Sequence, residues 1–428
     1  MFIHIDLDSF FISAHRTIDP SLIGVPAAVG SRSNLDIFDS KRNHTKLINN
    51  NQGAFVAPVF DSVRQNDFRS RFVDRVDGKD KIRGIIVTSS YEARQKGVKT
   101  AMSIAQALHL CPDMIVVPSE YTLYHHLSFE LSQFLQYYIP AVEQFSIDEW
   151  FGDLSGWVKD EDVVEFCSKI QQDIQKIFDL PVSIGIAKSK WIAKLATEDA
   201  KPIGIKYVRE NLEYIQDIPI EKFPGIGKGF ATKLKHYGIH TLGQIAHNKS
   251  LLYGWKKPGI QLYHRVCGDD NEPILKRGIR KSIGLSRTFD AIYDKEEIQR
   301  RVLIMCRNIV YIIFDLKLFP SSYYLKINYE YNVKAKKTLS SSRKFSEKLF
   351  KEILMQIFDE IFRKDIGVIK LSINVTNFSK KEDIHSLFTH EEDLQQNKLT
   401  VQVQKLRKKF GLDIIKNASE ICVKPKGK

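Results

Sequence analysis

Acidic side chains occur at two distant places in the chain, Asp6 and Asp8 in FIHIDLDSFF and the adjacent pair Asp148 and Glu149 in FSIDEWFGD. Tyr91 and Arg94 stand in TSSYEARQKGV, and Lys190, Lys194 and Lys201 in SKWIAKLATEDAKPIGI. Phosphoryl transfer from a nucleoside triphosphate uses two divalent cations about 3.5–4 Å apart, one activating the attacking oxygen and one holding the phosphates. Magnesium takes oxygen ligands and keeps several waters, so two or three carboxylates suffice. Asp6, Asp148 and Glu149 offer those oxygens. The Tyr91 hydroxyl, the forked Arg94 guanidinium and the Lys201 ammonium are the groups that hold phosphate oxygens. The set is that of metal-dependent nucleotidyl transfer. An Asp–Glu pair by itself is most often a solvated turn, and lysines at helical spacing a solvated face; the combination carries the reading.

The elements that must position these groups are legible in outline. Ile3, Ile5 and Leu7 alternate with His4, Asp6 and Asp8, which predicts a strand. SFFISAHRT reads as a short helix stopped before Pro20, and PAAVGS and GIIVTSS as strands. Ser89 and Glu92 have capping-box spacing, which places a helix start beside Tyr91 and puts Tyr91 and Arg94 on one face. Neighbours in a strand point to opposite faces, so Asp148 and Glu149 converge only at a hairpin tip or bulge, with Gly152 a candidate for the bend. Helices are expected at 121–138 and 161–178, a hairpin through EQFSIDEWFGDLS, then strand LPVSIGIA and helix KWIAKLATEDA. Lys201 follows at a Lys-Pro boundary.

With 428 residues, the chain exceeds one compact core, and about two to four domains are expected. No long apolar run marks a membrane span. FIHIDLD alternates where a signal peptide would be uninterrupted. The five cysteines are scattered with no C-x-x-C pair, as in a reducing cytoplasm. The net charge of +13 is uneven: residues 276–428 hold 32 Lys and Arg against 18 Asp and Glu, a balance of +14. That asymmetry suits a module that grips a polyanion. The turn Pro224, Gly225, Ile226, Gly227 followed by Lys228 allows backbone N–H groups close approach to a phosphate. Residues 31–83 are polar and aperiodic, a long loop or inserted subdomain. Residues beyond about 281 read as strand, helix, strand, strand, helix, strand, a βαββαβ sheet with two helices on one face.

The strings DLDSFF, VTSSYEARQKGVKTAM, SIDE, SIGIAKSKWIAKLATEDAKP, FPGIGKGFATKL and KSIGLSRTF resemble, in order, those of the Y-family or translesion DNA polymerases, within them the bacterial DNA polymerase IV-like group. The resemblance implies a mixed α/β (α+β) right hand: palm at 1–19 and 121–208, fingers at 20–120 with the insertion at 31–83, a helical thumb at 209–275, a basic linker at 276–284 and a little finger at 285–428. It implies Asp6, Asp148, Glu149 and the Leu7 backbone carbonyl as a site for two Mg2+ ions, with Phe11, beside Phe10, as a steric gate against ribonucleotides. Thr88, Tyr91, Arg94 and Lys201 fall on triphosphate-binding positions. Pro224 to Lys228 and Lys281 fall on DNA-binding ones. Implied partners are primer-template DNA, dNTPs and, through Ser386, Leu387 and Phe388 in a degraded DIHSLF motif, the sliding clamp; a cytoplasmic monomer without membrane association is expected. The chain departs from the family at the long insertion, at Trp150, Phe151 and Gly152 after SIDE, and at His15. A palm-type nucleotidyl cyclase would need neither the Pro-Gly-Ile-Gly turn nor the basic C-terminal third, and a scaffold with a decayed site would not need all three acids.

Overall fold

The computed structural model describes residues 1–38, 45–48, 59–62, 67–76, 78–270, 272–275, 280–379 and 389–421. The chain divides into two compact units, one of 1–31 with 67–278 and one of 32–66 with 279–428. Among the described residues no helix is long and apolar enough to cross a membrane.

The first unit is built around a five-stranded sheet with Phe2–Leu7 at its centre, flanked by Glu149–Asp153 and Val182–Ala187, with Ala141–Gln144 and Ile205–Tyr207 at the edges. All pairs are antiparallel except the one between Val182–Ala187 and Ile205–Tyr207. Because helices cover both faces, the alternation that predicted the first strand does not separate core from solvent. Ile3, Ile5 and Leu7 bury with Leu131, Leu135, Cys167, Ile170 and Ile174 from helices Tyr121–Tyr138 and Val163–Phe178. His4 and Asp6 lie on the other face and are just as enclosed. There the helix Lys190–Ala200 packs so closely that a Cβ on Gly185 would meet Ala193 O and Thr197 N.

A smaller sheet, Ile85–Ser89, Ala27–Ser31 and Ile115–Pro118, carries the helices Tyr91–Gln95 and Ile104–Leu110. Five short helices between Asn211 and Cys267 form a further group, whose Leu234, Leu242, Leu252 and Leu262 share a core with Trp191, Ile192 and Leu195.

The second unit has the expected βαββαβ order. Its strands run Ser282–Ile292, Val368–Ser379, Phe319–Tyr329 and Lys334–Ser340 across one sheet, with helices Lys295–Leu316 and Glu347–Ile361 supplying its core. The third strand begins at Lys334, earlier than the expected TLSSSRKF segment. Helix His390–Phe410 was not foreseen, because its sequence is polar on all sides. Ion pairs hold it, Arg407 to Glu347 at 2.5 Å and Arg343 to Asp393 at 2.6 Å.

The expected insertion at 31–83 is divided between the units. Residues 32–66 group with the second, where Ile37 and Phe38 enter its core beside Phe289 and Ile298. The Arg301 guanidinium lies 4.7 Å from the Phe38 ring and 4.6 Å from that of Phe289. Thr288 N donates to Ser33 Oγ at 3.0 Å, and Arg287 Nε to Asn34 O at 2.9 Å. Residues from Asp67 belong to the first unit, where Phe72 buries with Ile104 and Val116.

Candidate active site

The three acids come together through strand pairing. Asp6 lies opposite Glu149 in the antiparallel register, and Leu7 N donates to Asp148 O at 3.0 Å. Asp148 occupies the turn of the hairpin and Glu149 opens its second strand, so the adjacent acids escape strict alternation as the sequence required. The bend is not at Gly152. That residue sits within the strand, where a Cβ would approach Ile139 and Ile3 at 3.0 and 3.1 Å, and its small size serves packing.

Each outer acid faces a lysine. Lys201 Nζ lies 3.0 Å from Asp6 Oδ1 and 2.9 Å from Glu198. Lys194 Nζ lies 2.6 Å from Glu149 Oε1, and Ser146 Oγ donates to Asp148 Oδ1 at 2.8 Å. Lys190, the first of the three, is buried against Glu143 at 2.6 Å. Lys190 and Lys194, whose helical spacing reads as a solvated face, are thus each matched to an acid, as is Lys201. Lys194 is absent from the site expected from sequence, because helical spacing does not tell which side of the helix meets the acid-bearing strand.

Burial raises Asp6 to about 8, and the nearby charges of Glu149 and Asp148 push in the same direction against Lys201. Asp148 is raised as well, chiefly by burial and with Glu149 adding to it, while the Ser146 hydrogen bond opposes. For Lys201, burial works against the charge, but Asp6 and Glu198 outweigh it and hold the ammonium protonated beyond the ordinary lysine range. Crowded carboxylates with raised pKa values are relieved by a cation, and an all-oxygen donor set fits a hard divalent ion. The residues therefore fit the expected metal, although among the described residues no group of three or more His, Cys, Asp or Glu already has a metal-binding arrangement.

The expected triphosphate residues gather beside the acids in part. Helix Tyr91–Gln95 is capped by Ser90, whose hydroxyl accepts from Ala93 N, and not by Ser89. The Tyr91 hydroxyl donates to Asp8 Oδ1 at 3.1 Å, and burial followed by the Asp8 charge raises its pKa to about 12. Arg94 stays exposed, its Nε donating to Ser89 O at 3.0 Å and its guanidinium 4.9 Å from the Tyr91 ring. Thr88 is half-buried on the strand before this helix, paired with Val29.

Phe10 is buried in the sheet core, whereas Phe11 is half-exposed and stacks on Tyr124 at 4.4 Å with 28° between the rings. Tyr124 is fully buried and shares a 2.8 Å hydrogen bond with His15 Nε2, so the departure at His15 braces the ring behind Phe11. Burial lowers the His15 pKa, keeping the imidazole neutral. Trp150 turns away from the acids into the opposite core and donates to Ser132 Oγ at 2.8 Å.

Pro224 to Gly227 forms a turn after a single 3-10 turn at Ile220–Lys222 and before helix Lys228–His236. Gly225 has φ +100 and is exposed with Gly227 and Lys228, while Ile226 anchors the turn in the core. Lys281 is exposed at the start of the second unit's sheet. Ser386, Leu387 and Phe388 lie outside the described residues.

Residues 5–198 match the model of the impB/mucB/samB family, and residues 280–387 that of the impB/mucB/samB family C-terminal domain. The chain is 30% identical to DNA polymerase IV 1 of Halalkalibacterium halodurans, over 98% of this chain and 92% of that protein. It is 33% identical to DNA polymerase IV of Oceanobacillus iheyensis, over 79% of this chain and 84% of that protein. Among solved structures, a Y-family DNA polymerase chimera of Dbh and Dpo4 superposes with a TM-score of 0.70 at 22% identity, covering 88% of this chain and 98% of that one. An insertion ternary complex of Dbh DNA polymerase gives 0.56 at the same identity and coverage. At that identity the structural likeness speaks for the fold.

Proposed function

The chain belongs to the impB/mucB/samB family and is a DNA-directed DNA polymerase of the Y-family, translesion type; from that premise we propose that it extends a primer 3′-OH with dNTPs, at low fidelity and past damaged template bases, using two magnesium ions held by Asp6, Asp148, Glu149 and the Leu7 carbonyl. The observation that carries the reading is the register that sets Asp6 opposite Glu149, one residue from Asp148 and within ion-pair distance of Lys201. When bound, the ions lower the pKa of the attacking hydroxyl and neutralise the phosphates.

The chain's own groups do the rest. Lys201, Tyr91 and Arg94, with Thr88, hold the triphosphate by charge-assisted hydrogen bonds. Phe11, braced by Tyr124, takes the space beside the sugar where a 2′-hydroxyl would stand. The turn from Pro224 to Lys228 offers backbone N–H groups to a DNA phosphate.

The second unit supplies a grip. Its helices cover the face that bears Tyr323, Leu325 and Ile327, which leaves Tyr324, Lys326 and Asn328 on the other. Lys326 pairs with Lys336, and Asn328 lies between Lys334 and Lys370. Like charges directly opposite one another destabilise a sheet, and a polyanion across this face, with Lys281 at its edge, removes that penalty. The reading is tested by primer extension on undamaged and lesion-bearing templates with magnesium: extension past the lesion supports it, and no template-dependent extension on either template overturns it.

A further inference from the structure

Asp8 stands two residues from Asp6 on the same face of the chain, yet its surroundings differ in kind. Only 1% of it is exposed, and three donors from three separate segments occupy its carboxylate. Ser183 Oγ and Ile203 N both donate to Oδ2 at 2.8 Å, and the Tyr91 hydroxyl donates to Oδ1 at 3.1 Å. Asp6 by contrast faces a lysine and the other two acids. A carboxylate filled by neutral donors in this way is a fixed anchor.

We propose that Asp8 is a positioning residue for the incoming nucleotide, which fixes Tyr91 and Lys201 relative to each other by tying both of their segments to the end of the central strand. The inference rests on the polymerase reading above. Lys201 is joined to the anchor through Pro202, which has no N–H of its own, so Ile203 carries the first N–H after the lysine that can reach the carboxylate. Ile203 has φ +52, a left-handed conformation that a β-branched residue adopts only at a steric cost. Its hydrogen bond to Asp8 offsets that cost. Tyr91 opens its short helix, and its hydroxyl is the group bonded to Asp8, so the ring cannot swing without breaking that bond. Ser183 completes the set from the adjacent strand, opposite Asp6 in the register, and its hydroxyl holds the rotamer of the carboxylate.

The test uses the full-length protein on a dideoxy-terminated primer-template, which forms the complex without chemistry, titrated with the dNTP complementary to the template base. Asp8→Asn keeps the volume but turns an N–H2 toward one of the three donors. Its dNTP Kd should rise about tenfold or more, the scale of one missing charge-assisted hydrogen bond, with primer-template Kd unchanged. In steady state the same variant should raise KM more than it lowers kcat. Ser183→Ala removes one donor, retains the charge and holds if Asp8→Asn does not fold; it should raise the dNTP Kd by a smaller factor, roughly threefold. A merely structural Asp8 would lower Tm and the active fraction, leaving the Kd of the folded fraction at the parent value in both variants, and that result overturns the proposal. If the parent itself takes up no dNTP, the polymerase reading fails and this inference with it.

Discussion

Lys201 Nζ lies 3.0 Å from Asp6 Oδ1, so a residue expected to hold the triphosphate and a residue expected to hold a cation are paired with each other. On the proposed function, a divalent ion held by Asp6 would compete with the Lys201 ammonium for the same carboxylate and leave the lysine to the triphosphate.

Lys201→Ala should therefore act in opposite directions on the two ligands. Without its phosphate partner the dNTP KM should rise about tenfold, as for removal of a charge-assisted hydrogen bond. Without its competitor, Mg2+ alone should bind more tightly, seen as a larger Tm increase on adding the metal to the variant than to the parent. Weaker metal binding in the variant would mean that the pair does not compete.

Phe11 should discriminate against ribonucleotides because Tyr124 blocks the ring's retreat. Tyr124, fully buried and bonded to His15, stands 4.4 Å behind its ring. Overpacking of that kind costs roughly 1–3 kcal/mol, and each 1.36 kcal/mol is about tenfold in rate. Phe11→Ala should raise the ratio of kcat/KM for ribonucleotides over deoxynucleotides by about tenfold to a hundredfold. An unchanged ratio would make Phe11 a core aromatic only.

Phe38 tests whether residues 32–66 belong to the second unit. Phe38→Ala removes a ring packed on Phe289 and beneath Arg301, and Phe→Ala in a core costs about 3–5 kcal/mol. Hydrogen exchange should show loss of protection in the sheet around Ser282–Ile292 while the strand Phe2–Leu7 keeps its own. Equal protection in parent and variant would detach this segment from that core. The same packing implies that truncation near Lys281 would expose Ile37 and Phe38 as well as remove the basic sheet.

The sites were legible where chemistry and local pattern agree, and less so where burial decides. Asp6, Asp148 and Glu149 stood out because acids at a strand end and a hairpin turn are readable from type and spacing, and the βαββαβ order followed from clean alternation and helical periods. Lys194 and Lys190 looked solvated because helical spacing does not say which face meets a sheet. Asp8 has no role legible in the sequence beyond its place beside Asp6, and its three donors come from distant segments. Helix His390–Phe410 has no apolar stripe, and its anchoring pairs, Arg407 with Glu347 and Arg343 with Asp393, are long-range. The resemblance puts residues 32–66 in the fingers, whereas Ile37 and Phe38 find their partners some 250 residues further on.

The face of the second unit's sheet that bears Lys326, Lys336 and Lys370 should bind DNA through charge. Replacing Lys326, Lys336 and Lys370 by Ala should weaken primer-template binding on any sequence. It should also reduce the slope of log K against log salt by about 0.9 for each DNA phosphate that no longer meets a lysine. Unchanged affinity and slope would place the DNA grip elsewhere.

The most direct measurement is primer extension by purified Asp148→Asn beside the parent, with magnesium, together with primer-template affinity for both. The substitution keeps the size and removes one charge from the trio of Asp6, Asp148 and Glu149. Extension should fall by roughly a thousandfold or more, since each 1.36 kcal/mol of missing transition-state stabilisation is tenfold, while DNA affinity changes little because the basic sheet is untouched. Extension by the variant at a rate near the parent's would contradict the account at its centre.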